Sequence, residues 1–551
     1  MKSPKVLQKF WALSLVILLA GFIGIGQTSA QTNYFVDAVA GNDTFNGSQM
    51  AVGGFPAGPF KTIGAAVTAG VDGDTITILA NTYAEALSTT EALTFEVQTS
   101  GGNTVVTITS ITHNSAADTA TYTDAAGGGV GTFVTTAGIT LTAGTVNFGT
   151  AVVVATGQTI TRTNGFLTGT APTVTNVNVT YGATTAASIT AGNELAANIG
   201  SGTLTLGGAV GDAVVVPNAL SAGKIDKTGA GTATFQSAVT TTGGASDDIH
   251  LDNGVAGTIT FAGLTVAGGI DIGANATVLN AGATSVGAHP VDHGGTGLAT
   301  FASLALGTEE LTVIGAGGVT VTGAVTFANG VSRNAIQNAA VGAVTLGSVT
   351  SLITDTAGDD AGVINTIANT STGSIIINGA ITEGEIADAQ DVAPANVERS
   401  IVSLTNLNAG GAISIGASST ISGNVRNVDR TTAGATTGII LANSATLTVT
   451  SVDNADGTDS PANRTSFGDV TGGTLVIDYA NGTTDASSGV TSLTKANNVT
   501  LTAAAGTIVG AGALGAVAAG VYSFSGDVRL QIASGVSLNG LVIKTGGTLF
   551  V

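Results

Sequence analysis

Carboxylates standing side by side are the residues of this 551-residue chain whose type and spacing could do chemistry. Adjacent acids occur at Asp247-Asp248, Glu309-Glu310 and Asp359-Asp360. Glycan cleavage uses two carboxyl groups, one as acid and the other as base or nucleophile, so the pairs are the first place to look. Neighbours on a strand point to opposite faces, and each pair can cooperate only at a turn. A solvated turn acid is therefore the reading for each. Basic groups that could take a proton are few after residue 30: Lys61, Lys224, Lys227, Lys495 and Lys544, with Arg162, Arg333, Arg399, Arg426, Arg430, Arg464 and Arg529. None of them sits in an enzyme active-site motif, so the catalytic residues stay unknown and the chain reads as non-enzymatic.

Metal and nucleotide chemistry are equally thin. His113, His250, His289 and His293 are scattered, and Asp292-His293-Gly294-Gly295-Thr296-Gly297 reads as a tight turn, since one His and one Asp do not complete a ligand set. The best metal candidate is a calcium loop at Asp453, Asp456 and Asp459, three carboxylates around Gly457, although the distal bidentate Glu of a full loop motif is missing. No other cofactor is suggested. Gly510-Ala511-Gly512-Ala513-Leu514-Gly515 matches a dinucleotide fingerprint literally, but no acid follows Val528-Arg529-Leu530-Gln531-Ile532 where the second strand of such a fold would end. Thr446, Thr448 and Thr450 could form a hydroxyl ladder, yet such Thr pairs show no steady period along the chain.

The elements that must position these residues follow from composition. The chain has 81 Gly, 8 Pro, no Cys, 9% charged and 4% aromatic residues, but 43% hydrophobic residues and a mean hydropathy of +0.44. That is too hydrophobic for a disordered polymer, and its core must be built from Val, Ile, Ala and Thr, which favour strands. A roughly spherical core stops growing near ~250–300 residues, whereas a solenoid lengthens its core coil by coil. Cysteine chemistry and disulfides are closed.

Lys2, Lys5 and Lys9, the uncharged apolar run Phe10–Ile25 and the small residues Thr28-Ser29-Ala30 have the form of a signal peptide cleaved after Ala30. Removing those three lysines from 15 basic residues leaves 12 against 35 acids, a net charge of −23. Polyphosphate binding needs a basic surface, so nucleic acid is excluded as a partner; no second apolar stretch predicts a membrane span. The expected location is secreted, extracellular or on the cell surface.

Residues 31–87 form a distinct module. Tyr34-Phe35-Val36 reads as a strand, Asp37 to Ser48 as a turn-rich loop, and Gly58-Pro59 as the opening of a helix whose apolar stripe is Phe60, Ile63, Ala66 and Val67. Thr75-Ile76-Thr77-Ile78 alternates as a half-buried strand. The series Tyr34-Phe35-Val36, Gly41-Asn42-Asp43, Pro59-Phe60-Lys61-Thr62-Ile63, Gly73-Asp74-Thr75-Ile76 and Thr82-Tyr83-Ala84-Glu85 resembles the N-terminal segment of the secreted, bacterial pectate-lyase-like parallel β-helix superfamily. The resemblance covers about a tenth of the chain. It implies a helix lying over the open end of the β-helix, with these motif residues structural; many members of that superfamily cleave polysaccharides.

From residue 88 to 551 short strands recur between Gly, Asn and Asp turns, among them Thr258–Phe261, Ile270–Ile272, Ser374–Ile377, Ile413–Ile415, Thr446–Thr450 and Thr474–Ile477. The prediction is an all-β fold, a single-stranded right-handed parallel β-helix of ~20–25 residues per coil with a short N-terminal capping helix. Leu541–Val551 reads as ordinary coil sequence, with no terminal cap. Its expected role is structural or adhesive, toward a cell-surface or extracellular glycan or protein, with a polysaccharide lyase or hydrolase on the same scaffold as the alternative; the sequence does not fix the oligomeric state.

Overall fold

The computed structural model describes residues 31–125 and 131–155, most of 199–354, 363–386, 400–427 and 438–449, and elsewhere only separate strand segments. The leader at residues 1–30, the calcium candidates Asp453, Asp456 and Asp459, the pair Asp359-Asp360 and the glycine run 510–515 lie outside the described residues. What is described is an all-β parallel solenoid: every register between named strands is parallel, and strands pair with strands one coil away. The chain divides into two compact units, one of residues 1–153 and 165–170, the other of 154–164 and 171–551.

In the first unit β1 (Asn33–Val36), α1 (Ile63–Ala69), β2 (Thr75–Leu79), β3 (Leu87–Thr89), β4 (Thr94–Gln98), β5 (Val105–Ile108), β6 (Ile111–Asp124), β7 (Thr132–Thr135) and β8 (Ile139–Phe148) follow in order. Alternation along the strands sends one side chain in and the next out, although Thr75 and Thr77 of β2 are buried as well. Ile76, Phe95, Tyr122 and Phe148 are therefore partners on β2, β4, β6 and β8, one above the next and fully buried. The rings of Phe95 and Tyr122 stack at 5.1 Å, while Phe133 and Phe148 meet Tyr122 edge-on at 5.3 and 5.4 Å.

The capping helix starts later than Pro59. Phe60 is extended, because its backbone is spent on the free edge of β1: Phe60 N donates to Phe35 O at 2.8 Å and Asp37 N to Phe60 O at 2.8 Å, with Phe35 N on Gly47 O at 2.9 Å. An edge strand with open N–H and C=O groups invites pairing, and this loop covers it. Gly47 sits at φ 69° with the Phe60 ring where a Cβ would be, so no other residue fits. Helix α1 begins only after Thr62, whose hydroxyl accepts from Ala65 N at 3.2 Å. Glu85 takes the two preceding donors, Ile63 N at 3.0 Å and Gly64 N at 2.9 Å, and Asp43 takes Lys61 N and Thr62 N at 2.8 and 2.9 Å. Asp74 likewise holds Thr32 N and Val71 N. The motif acids are thus backbone caps. Ile63 and Ala66 turn inward against β1, β2 and β3.

In the second unit the regular stretch pairs a short strand of three or four residues with a long one in each coil. Short strands at Lys224–Lys227, Ile249–Leu251, Ile270–Ile272, Val291–His293 and Leu311–Val313 alternate with long strands at Thr232–Thr241, Thr258–Val266, Val278–Val286, Ala299–Gly307 and Val319–Phe327. Ile249, Ile270, Val291 and Leu311 are successive partners, steps of 21, 21 and 20 residues, and all are fully buried. Each contributes about 1.5–3 kcal/mol of burial. Later steps are longer, Leu311 to Ile336 to Ile367 to Leu404, so the coil length exceeds the predicted ~20–25 residues there. Among the described residues α1 is the only helix, and no helix is long and apolar enough to cross a membrane.

The last residue of each short strand faces inward at a corner, and polar groups collect there. Lys227, Leu251, Ile272, His293, Val313, Asn338, Asn369 and Asn406 are successive partners. Asn338 donates from Nδ2 to Gly342 O at 3.0 Å and accepts from Ala340 N at 3.2 Å. Asn369 donates to Gly373 O at 2.9 Å and to Asn406 Oδ1 at 3.1 Å, and Asn406 to Gly411 O at 3.3 Å. His293 repeats the pattern with an imidazole, Nε2–H on Gly297 O at 2.9 Å and Gly295 N on Nδ1 at 3.1 Å. The turn expected at Asp292–Gly297 starts later: Asp292 and His293 end the strand Val291–His293, the chain bends at Gly295–Gly297, and the histidine serves the backbone of that bend.

Candidate functional site

A column of ionisable side chains lies on the outward side of the same short strands. The middle residue of a three-residue strand points out when its neighbours point in. Asp226, His250, Asp271, Asp292 and Thr312 are successive register partners, one per coil, about 4.8 Å apart along the coil axis. His250 Nδ1 meets Asp226 Oδ1 at 2.8 Å and Nε2 lies 3.7 Å from Asp271 Oδ2, so both ring nitrogens face carboxylates. One turn earlier Lys224 Nζ bridges Asp247 Oδ2 at 2.6 Å, and that hydrogen bond holds the Asp247 carboxyl below its ordinary range.

Toward the other end of the column the carboxylates crowd. Burial raises Asp292, with the charge of Asp271 adding to it and a hydrogen bond from Thr312 opposing it. Glu310 is raised by burial and by Glu309 and Asp292, against the pull of Arg333. Arg333 sends Nη2 to Gly307 O at 2.8 Å and stands over the Phe327 ring.

The predicted pairs separate under this geometry. Asp247 is the partly exposed turn acid expected, but Asp248 is buried, because its oxygens are needed inside: they accept from Thr241 Oγ1 at 2.8 Å, Gly244 N at 3.0 Å, Ala245 N at 2.9 Å and, in the next coil, Gly268 N at 2.8 Å. It is a corner staple. Glu309 and Glu310 occupy a turn beside Asp292, on the edge of the column. Lys61 is an exposed residue at the helix cap, and Lys227 is buried with Nζ on the carbonyls of Gly229 and Ala256. Among the described residues no group of three or more His or acidic side chains is arranged to hold a metal ion.

A second regular column runs up the long strands. Thr234, Thr260, Asn280, Thr300, Thr320 and Thr345 are successive partners, all outward and partly exposed. A steady polar period therefore exists, 20 residues a step from Thr260 through Asn280 and Thr300 to Thr320, where the Thr pairs of the sequence showed no steady period. The signal was present as Ile270-Asp271-Ile272, Val291-Asp292-His293 and Leu311-Thr312-Val313 at spacings of 21 and 20. Compared with known proteins, the chain matches no family model and has no match among curated proteins or solved structures.

Proposed function

We propose that this chain is a secreted or cell-surface β-helix of the pectate-lyase-like kind whose role is structural and adhesive, presenting its outward columns to extracellular glycans or surface proteins. One observation carries the reading. The ionisable groups of the short-strand column face one another from coil to coil, Lys224 Nζ at 2.6 Å from Asp247 and His250 Nδ1 at 2.8 Å from Asp226, with His250 Nε2 3.7 Å from Asp271. Such groups brace successive coils. The hydroxyl and amide column from Thr234 to Thr345 supplies a polar contact surface of fixed repeat.

A second reading has its own support. Asp271 and Asp292 are in-register carboxylates on adjacent strands, and Asp292 and Glu310 hold protons more tightly than usual, as a general acid for glycan cleavage does. Incubating residues 31–551 with neutral and acidic polysaccharides, with and without Ca²⁺, separates the two. Binding with no new reducing ends or unsaturated products is expected; product formation that Asp292→Asn abolishes makes the chain an enzyme.

A further inference from the structure

Among the described residues of the second unit, the large apolar side chains that stand in solvent share one corner of the coil. Leu298, Ile314, Val341 and Leu407 are 45%, 64%, 68% and 46% exposed. Each lies in the short segment that follows an inward corner residue: 294–298 after His293, 314–318 after Val313, 339–343 after Asn338 and 407–411 after Asn406. The segments are stacked coil on coil. Ile314 N donates to His293 O at 2.9 Å, Gly317 N to Gly295 O at 2.9 Å, Ala339 N to Val313 O at 2.8 Å, Thr370 N to Asn338 O at 2.9 Å and Leu407 N to Asn369 O at 2.9 Å. A Cβ on Gly317 would collide with Gly297 O, and one on Gly342 with Gly317 O, so glycine is what lets these segments lie so close. The Leu298 side chain leans over Gly318 of the next coil.

This edge is also free of charge. Its segments read Gly-Gly-Thr-Gly-Leu, Ile-Gly-Ala-Gly-Gly, Ala-Ala-Val-Gly-Ala, Thr-Ser-Thr-Gly at 370–373 and Leu-Asn-Ala-Gly-Gly, without one Asp, Glu, Lys or Arg in a chain of net charge −20. We propose that a second copy of the chain packs here, edge against edge. Two arguments choose that occupant. Copies of an acidic chain repel where their charged faces meet, as the faces carrying Asp271, Asp292, Glu309 and Glu310 would, and this corner lets them touch without opposing like charges. The apolar side chains are also set at the coil repeat, about 4.8 Å, with glycines between them, and a second copy brings the same repeat, so the side chains of one edge enter the glycine gaps of the other. An anionic membrane or glycan is repelled by the chain's charge, and a neutral glycan finds no aromatic ring in these segments to stack on. One edge of about five coils buries less than the ~800 Å² per partner of a standard complex, so the pairing is reversible and grows with concentration.

The chain has no cysteine, so single-cysteine variants of residues 31–551 report the contact directly. Under mild oxidation Ile314→Cys and Val341→Cys, alone and mixed with each other, are expected to give disulfide-linked dimers faster than Ala302→Cys, an exposed position on the long strand Ala299–Gly307. Sedimentation velocity of the unsubstituted chain is expected to shift toward the dimer with concentration and with added salt, because salt screens the repulsion between two acidic copies. Val341→Asp is expected to abolish that shift. A chain that sediments as a monomer throughout, or corner cysteines that pair no faster than Ala302→Cys, overturns the proposal and leaves the edge to a foreign partner. Association that salt weakens, or that Val341→Asp leaves intact, overturns it as well.

Discussion

Replacing Asn369 by Val asks whether the inward corner amides hold the coils together. Asn369 Nδ2 donates to Gly373 O at 2.9 Å and Asn406 Oδ1 at 3.1 Å, with Ala412 O at 3.5 Å. Valine suits the strand and fills similar space, so the loss is one of hydrogen bonds. It removes two hydrogen bonds to buried acceptors at about 1 kcal/mol each, while Gly373 O keeps Ala412 N at 3.3 Å. Against that, Asn369 Oδ1 has no partner in the native fold, and its removal returns about 1 kcal/mol. The balance is a loss of about 1 kcal/mol, or about fivefold in a local opening equilibrium. Solenoids open locally, so a single melting temperature is the wrong readout. Hydrogen exchange is the right one: amides of the neighbouring strands Arg333–Asn338 and Ser400–Asn406 exchange faster by that factor, while β2 and β4 serve as an internal reference. Unchanged or slower exchange in those two strands refutes the role given to the ladder.

Two titratable members of the same inward column make opposite predictions. His293 can serve its turn only while Nδ1 is unprotonated, and burial lowers its pKa from the ordinary 6.5, against the pull of the backbone at Gly297 and Gly318. Its contribution is complete above 6.5 and lost as pH falls below that value toward the folded pKa, because the unfolded chain then binds the proton more tightly. His293→Asn keeps a donor and an acceptor at the corner, so the protection of amides 291–297, taken relative to their intrinsic exchange rates on either side of 6.5, falls as pH drops in the native chain and stays constant in the variant. Burial drops the Lys227 ammonium from 10.5 to about 8, so near neutral pH its charge costs about 3 kcal/mol. Lys227→Met relieves that and forfeits two hydrogen bonds from a charged donor at about 1.5 kcal/mol each, a net of about zero near neutral pH. Between 8 and 10.5 the native chain sheds the proton while its unfolded state keeps it, so native stability climbs above that of the variant. Denaturant unfolding of both proteins across that range checks the divergence.

The solenoid was legible because its demands are repetitive: runs such as Ile249-His250-Leu251 and Ile270-Asp271-Ile272 alternate in, out, in, and glycines mark the corners. The helix start was misread for a definite reason. Pro59 and the spacing of Phe60 with Ile63 obey helical rules, but Phe60 has a stronger claim on it, the open edge of β1, and an edge is a property of the assembled sheet. The charged column was hidden differently. Asp226, His250, Asp271 and Asp292 are 24, 21 and 21 residues apart, and each alone is an unremarkable outward residue; only parallel pairing turns that spacing into contact. The inward ladder was harder still, since its steps from Val313 through Asn338 and Asn369 to Asn406 lengthen from 25 to 31 to 37 residues. A local signal does survive that drift. Asn338 reaches Gly342, Asn369 reaches Gly373 and His293 reaches Gly297, each four residues on, because a tight corner turns one carbonyl inward and something beside it must donate. Sequence reading that looks for this donor-and-glycine spacing, in place of a fixed coil length, finds the corners of an irregular solenoid by the backbone group that each one would otherwise strand.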